Sequence, residues 1–153
     1  MATFYADSSV LVKRHVPELG TAWVRNLAAP TAANTIITTQ ISLVELYSAL
    51  NRRVREKSVT ALRYKRIQSV ISYVWSAQYE TVDLTDKLIG EAKLLLERHP
   101  LRAYDAVQLA SAIQARMNLL IAGFTAPVFL SADDRLLLAA QAEGFITDNP
   151  NLH

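Results

Sequence analysis

Four carboxylates in this chain sit where chemistry could use them. Asp7 closes the short β-prone run TFYA, and Glu45 lies inside the apolar stretch ISLVELYSAL. Asp105 falls in LRAYDAVQLASAI, and Asp133 follows VFLSA. Carboxylates brought within about 5 Å of one another repel, and their pKa values rise unless a cation compensates. Hard oxygen donors with no His or Cys among them select Mg²⁺, with Mn²⁺ as the alternative, over zinc or copper. A cage of that kind holds one or two ions that bind phosphate oxygens, activate water and stabilise a leaving oxygen. If the four acids converge, hydrolysis of a phosphodiester is the natural reaction.

Each acid also has a plainer explanation. Asp7 and Asp133 follow apolar runs and precede helical patterns, so either could be a helix cap favoured by the macrodipole. Glu45 is harder to explain that way. Its helix is apolar nearly all round at first, so the carboxylate is expected to point into protein or into a cleft. An unpaired buried charge costs several kcal/mol. The positions four residues away, Ile41 and Ala49, offer no salt bridge. Asp105 shares a helix face with Leu109 and Ala112 and so faces inward, although Arg102 at i−3 could pair with it.

The rest of the chain sets the frame for these acids. Its 153 residues are 51% apolar and 20% charged, the profile of one ordinary globular domain spanning residues 1–153. With no cysteine, disulfides and thiolate metal sites are impossible, and the histidines at 15, 99 and 153 have no paired ligand spacing. The opening MATFYADSSV lacks a signal-peptide pattern, and no run of about eighteen apolar residues offers a membrane span. The expectation is a cytoplasmic protein. Net charge is only +2, but seven of the sixteen Lys and Arg residues crowd between Arg52 and Arg66 against one acid, Glu56. A cluster of that sign fits a phosphate backbone or an acidic partner, or is a solvated helix surface.

Only four glycines and five prolines interrupt the pattern. Strands are predicted at residues 3–6, 35–39, 81–84 and 128–131. Ser8 or Ser9 is expected to cap a short helix running to about Val16, and further helices are predicted over 21–28, 40–56, 59–78, 86–98 and 102–117. A last helix begins at Asp133 or Asp134 and runs to Ala142, with Gly144 just beyond its end and NPNLH as a short tail. Short apolar strands alternating with helices imply α/β layering on a parallel sheet, whose ligands bind beyond the carboxyl ends of the strands.

The same residues carry a family resemblance. FYADSSVLVKRHVPE, ISLVELYSALNRR, LRAYDAVQLASAI and VFLSADDRLLLAAQAEGF resemble, in order, the four acid-bearing segments of PIN-domain proteins. Together they cover nearly the whole chain except the helix near 59–78. The small single-domain form is most similar to VapC-type toxins of toxin–antitoxin pairs. The resemblance implies a three-layer α/β/α domain with a short, mostly parallel central sheet. It also implies a Mg²⁺-dependent endoribonuclease that acts on RNA, forms a homodimer and is silenced by a cognate antitoxin. Carried over, Asp7, Glu45, Asp105 and Asp133 match the acidic quartet that binds metal and catalyses. Ser8 and Ser131 match the hydroxyls beside the first and fourth acids. Spacing from Ser131 favours Asp133 over Asp134.

Other phosphoryl-transfer designs are excluded by what is missing. A dehalogenase-like phosphatase needs a second Asp where Ser9 stands, and no Gly-rich phosphate loop or Gly-x-Ser-x-Gly elbow is present. Arg52 and Arg53 are read as backbone-phosphate contacts that support RNA binding without catalysing. The alternative from another class is a non-catalytic module for nucleic acid or protein, with a merely structural acid cluster.

Overall fold

β-Branched and aromatic residues gather in four short runs, each of which is a strand, and a fifth, two-residue strand completes the sheet. A computed structural model describes residues 2–153 of the chain. Its strands are β1 (Thr3–Ala6), β2 (Thr35–Thr39), β3 (Tyr79–Val82), β4 (Val128–Leu130) and β5 (Thr147–Asp148). They form one sheet in the order β3-β2-β1-β4-β5, with every pairing parallel. Parallel neighbours need long crossovers. These are made by α1 (Ser8–His15), α2 (Thr21–Leu27), α3 (Ile41–Arg55), α4 (Ala61–Gln78), α5 (Asp86–Arg98), α6 (Ala103–Ile121) and α7 (Asp134–Ala142).

Side chains alternate across a strand, so neighbouring residues feed opposite cores. Tyr5, Ile37 and Phe129 point to one face, where they pack with Leu88, Leu95, Leu109 and Leu136 of α5, α6 and α7. The rings of Tyr5 and Phe129 stack there with centroids 5.4 Å apart. Ala6, Ile36 and Leu130 point to the other face, against Val10, Leu11, Val24 and Val74 of α1, α2 and α4. A third cluster joins α1, α3 and α4 through Val12, Leu46, Leu50, Ile67 and Ile71. Each such large side chain stabilises the fold by roughly 1.5–3 kcal/mol. The result is the expected three-layer α/β/α arrangement. Among the described residues no helix is long and apolar enough to cross a membrane.

Sheet order places the site. The chain leaves β1 towards β2 on one side and later returns to β4 on the other, so the crevice at their carboxyl ends is a topological switch point. Asp7 follows β1 there, and Ser131 and Asp133 follow β4.

Four details differ from the sequence reading. Asp7, not Ser8 or Ser9, caps α1, its carboxylate accepting the Val10 N–H at 3.1 Å. β3 begins two residues earlier than expected, at buried Tyr79. Arg14 donates to the Tyr79 hydroxyl at 2.9 Å and lies over its ring. α6 continues to Ile121, because nothing stops it before Gly123, whose φ is +81°. The carboxy-terminal residues are not a loose tail. Thr147 and Asp148 add β5 beside β4, and the His153 ring stacks on Trp23 at 4.3 Å. Gly20, at φ +80°, lets this segment close in: a Cβ there would meet the Pro150 carbonyl oxygen at 2.2 Å.

Candidate active site

Asp7 is held from both sides by hydroxyls. Its Oδ1 accepts from Ser9 Oγ at 2.6 Å, and its Oδ2 accepts from Ser131 Oγ at 2.6 Å. Each hydroxyl in turn accepts a backbone N–H from the loop after β4. Ala132 donates to Ser9 at 2.9 Å and Asp133 donates to Ser131 at 3.0 Å. The loop carrying the fourth acid is thereby clipped onto the first. Ser131 thus bonds the carboxylate of the first acid and the backbone of the fourth. For the first acid, the hydroxyl in contact is Ser9, whereas Ser8 lines the cleft beside Glu45.

Glu45 is positioned by a residue that the sequence reading did not single out. Gln108, fully buried on α6, donates to Glu45 Oε2 at 2.7 Å and to Ser42 Oγ at 2.9 Å. Its carbonyl oxygen accepts from the Tyr5 hydroxyl at 2.9 Å. Thr38 Oγ1 lies 2.8 Å from both the Ser42 hydroxyl and the Ala6 carbonyl. A carbonyl only accepts, so Thr38 donates its one proton to Ala6 and accepts from Ser42. This chain of bonds ties the residue before Asp7 to the helices of Glu45 and Asp105. The available signal was a lone amide among Ala106, Leu109, Ala110 and Ala112, one turn after Asp105. Replacing Gln108 with Leu leaves the buried Tyr5 hydroxyl without its acceptor and Ser42 without its donor. We expect a loss of about 1–3 kcal/mol in a urea melt. Unchanged stability would show that the network carries no net energy.

The remaining acids stand on helix starts. Asp105 is in the first turn of α6, partly buried, and Arg102 forms no ion pair with it among the described residues. Asp133 caps α7, accepting from Arg135 N at 2.9 Å, with the Arg135 guanidinium 3.6 Å away. Asp134 is turned elsewhere, bonded to Asn149 Nδ2 at 2.9 Å.

Electrostatics links the four in a row. Burial pushes the Asp7 carboxyl up to about 6 despite its hydrogen bonds from Ser131, Ser9 and Val10, and the Glu45 charge adds to the rise. Glu45 is raised by burial and by Asp105, with Gln108 opposing. Asp105 is raised by burial and by Asp133, with Arg102 and Arg135 opposing. Among the described residues no ion pair relieves Asp7, Glu45 or Asp105. Protonation or a cation from outside the chain would relieve them.

Two clefts meet at Glu45. One, about 370 Å³, includes Ser8, Arg52, Arg55 and Tyr104, and the other, about 280 Å³, includes Ser9, Lys13, Arg52 and Ala132. Glu45 is partly buried and faces these clefts, one of the two settings its apolar surroundings imply, and Val44 beside it is 60% exposed along the first. Of the basic stretch, Arg52 lines both clefts and Arg55 the first. Arg53 lines the second while ion-paired with Glu18, which also holds Lys13 at 3.1 Å. A cavity of about 580 Å³ against β3 and the end of α6 contains none of the four acids.

The family profile of the PIN domain matches residues 4–141. The chain belongs to the PIN domain family. PIN domains are typically nucleases and generally use divalent metal ions. Similar solved structures include VapBC2 from Rickettsia felis bound to a DNA fragment from its promoter. It has a TM-score of 0.61 and 16% identity, covering 96% of this chain and 98% of that one. FitAcB from Neisseria gonorrhoeae gives 0.65 and 12%, with 96% and 97% covered. A toxin–antitoxin complex from Klebsiella pneumoniae gives 0.60 and 12%, with 96% and 97% covered. At such identities the likeness establishes the fold. No curated protein matches the chain by sequence.

The donor set of this PIN domain fits a hard divalent ion: carboxylate oxygens only, mutually repelling and short of cations. As placed, no three acidic or histidine side chains among the described residues stand close enough to hold an ion together. The chemistry of the donors therefore fits the ion, while a shared ion requires the partly buried carboxylates to come closer together.

Proposed function

We propose that this PIN domain is a Mg²⁺- or Mn²⁺-dependent endoribonuclease. The observation that carries the reading is how the acids are tied together: Asp7 is clipped to the Asp133 loop at the switch point through Ser9 and Ser131, and Glu45 is tied to the helix of Asp105 through Gln108. Asp7, Glu45, Asp105 and Asp133 would hold the ion, which supplies charge compensation at the scissile phosphate and a more acidic water. The chain's own part is positioning. Ser9 and Ser131 fix Asp7, Gln108 fixes Glu45, and the clip through Ala132 and Asp133 sets the fourth acid's loop.

RNA as substrate draws support from Arg52 and Arg55, which line the cleft beside Glu45, where phosphates would pass. In our reading the whole chain works as one nuclease domain. It acts in the cytoplasm as a homodimer and is silenced by a cognate antitoxin; the toxin–antitoxin complexes among its fold relatives motivate that role.

The test is cleavage of a labelled RNA by the purified protein. Cleavage should require Mg²⁺ or Mn²⁺ and stop on adding EDTA. RNA binding without cleavage under any divalent ion would instead favour a non-catalytic binding module. Each phosphate contact contributes to the salt dependence of binding, with a slope of about −0.7 per contact on single strands. Replacing Arg52 and Arg55 together with Ala should flatten the slope of log K against log salt by about 1 to 1.5. An unchanged slope would return both residues to the solvated surface.

A further inference from the structure

The cleft on the α3 side of Glu45 has a feature that phosphate binding leaves unexplained. Its two large apolar members, Tyr104 and Val44, are 54% and 60% exposed, and neither belongs to any of the three cores. Tyr104 immediately precedes Asp105 in the first turn of α6, so its ring is held beside the acid row by a helix. Arg52 lies seven residues after Glu45, about two turns along α3 on the same face, and Arg55 lines the same cavity. At about 370 Å³ the cavity is in the size range of a site for one small ligand.

We infer that Tyr104 is a stacking platform for a nucleobase flanking the scissile phosphate, with Arg52 and Arg55 receiving the neighbouring phosphates. An exposed aromatic ring gives every base a face to stack on, whatever its sequence, and guanidinium groups suit the backbone beside it. A base inside a duplex has no free face, so the nucleotide that docks here is unpaired. The inference rests on the nuclease reading, since it takes the acid row as the point of cleavage. It adds the group that chooses which nucleotide lies next to the cut.

The test uses single-stranded RNA carrying the fluorescent base 2-aminopurine at successive positions, mixed with the full chain in Ca²⁺ to hold back cleavage. Wild type should quench the fluorescence at one position. Tyr104→Ala should lose that quenching and bind about tenfold more weakly, and Tyr104→Phe, which keeps the ring, should recover both. A merely structural role for Tyr104 would not tie quenching to the ring. Quenching and affinity undiminished in Tyr104→Ala would overturn the platform. Normal cleavage of RNA by Tyr104→Ala, with unchanged KM, would overturn it too while leaving the nuclease reading intact. Tyr104-dependent quenching by a wild-type protein that never cuts RNA would keep the platform and sink the nuclease.

Discussion

Asp7→Asn should abolish RNA cleavage, on the order of a thousandfold or more, in a protein that still folds. The amide has nearly the same shape, and the Val10 N–H and the Ser9 hydroxyl can still be met by its carbonyl oxygen. What disappears is the charge, in the most buried member of the row and the one that anchors the loop of Asp133. Losing one carboxylate from a divalent-ion site removes several kcal/mol of charge stabilisation, and about 4 kcal/mol corresponds to that fold-change. The measurement is single-turnover cleavage at saturating protein, so that weaker RNA binding cannot mimic the loss. Undiminished cleavage by Asp7→Asn would remove Asp7 from the quartet.

The second large effect concerns stability, and its sign follows from the direction of the Asp7 shift. The group ionises near 6 in the fold, against an ordinary 3.8 for the unfolded chain. Below pH 3.8 it is protonated in both states and costs nothing. As pH rises through 6 the buried carboxyl must ionise in the fold, and the metal-free protein loses about 3 kcal/mol from this group. His15 acts oppositely over nearly the same range. Burial, with Arg14 and Arg25 nearby, lowers it from 6.5 to about 4, so its contribution is present above 6.5 and is lost as pH falls towards 4. A simple acid titration of wild type would therefore show little. The difference between Asp7→Asn and wild type cancels the histidine and isolates the aspartate. In urea melts with EDTA, the variant should gain on wild type as pH rises from 4 to 8. The altered hydrogen bonding of the amide adds only a constant, so the slope is the readout. Adding Mg²⁺ at pH 8 should stabilise wild type more than the variant, since a ligand that binds only the folded state shifts stability by its occupancy. A gap that does not change with pH would contradict the burial of an ionisable Asp7.

The acids were legible because their neighbours made them conspicuous. Glu45 and Asp105 interrupt apolar helical runs, while Asp7 and Asp133 end strands, and short-range pattern is enough to see both. What the pattern missed was made by long-range contacts. Gln108 has nothing local to mark it as a positioning residue, since its partners Tyr5, Ser42 and Glu45 come from other elements. Ser8 and Ser9 are adjacent, and only the direction of α1 decides which hydroxyl faces Asp7. Arg53 looked as free as Arg52 until Glu18, from the α1–α2 connection, was found against it. β5 is two polar residues long and exists because β4 offers it an edge. Register, helix direction and ion-pair partners are properties of the packed chain, so they are the features that local sequence specifies least.

The most direct measurement is the chemistry of the ends left on a labelled RNA after brief digestion with wild type. Water attacking phosphorus at a divalent-ion site yields one hydroxyl end and one linear monophosphate end, and it does not need the 2′-hydroxyl. We expect those ends with Mg²⁺ or Mn²⁺, none with EDTA, and cutting that survives a 2′-deoxy substitution at the scissile position. Ends bearing a cyclic 2′,3′-phosphate, formed in EDTA and lost with the 2′-hydroxyl, would contradict a role for the four carboxylates as a metal-dependent hydrolytic site.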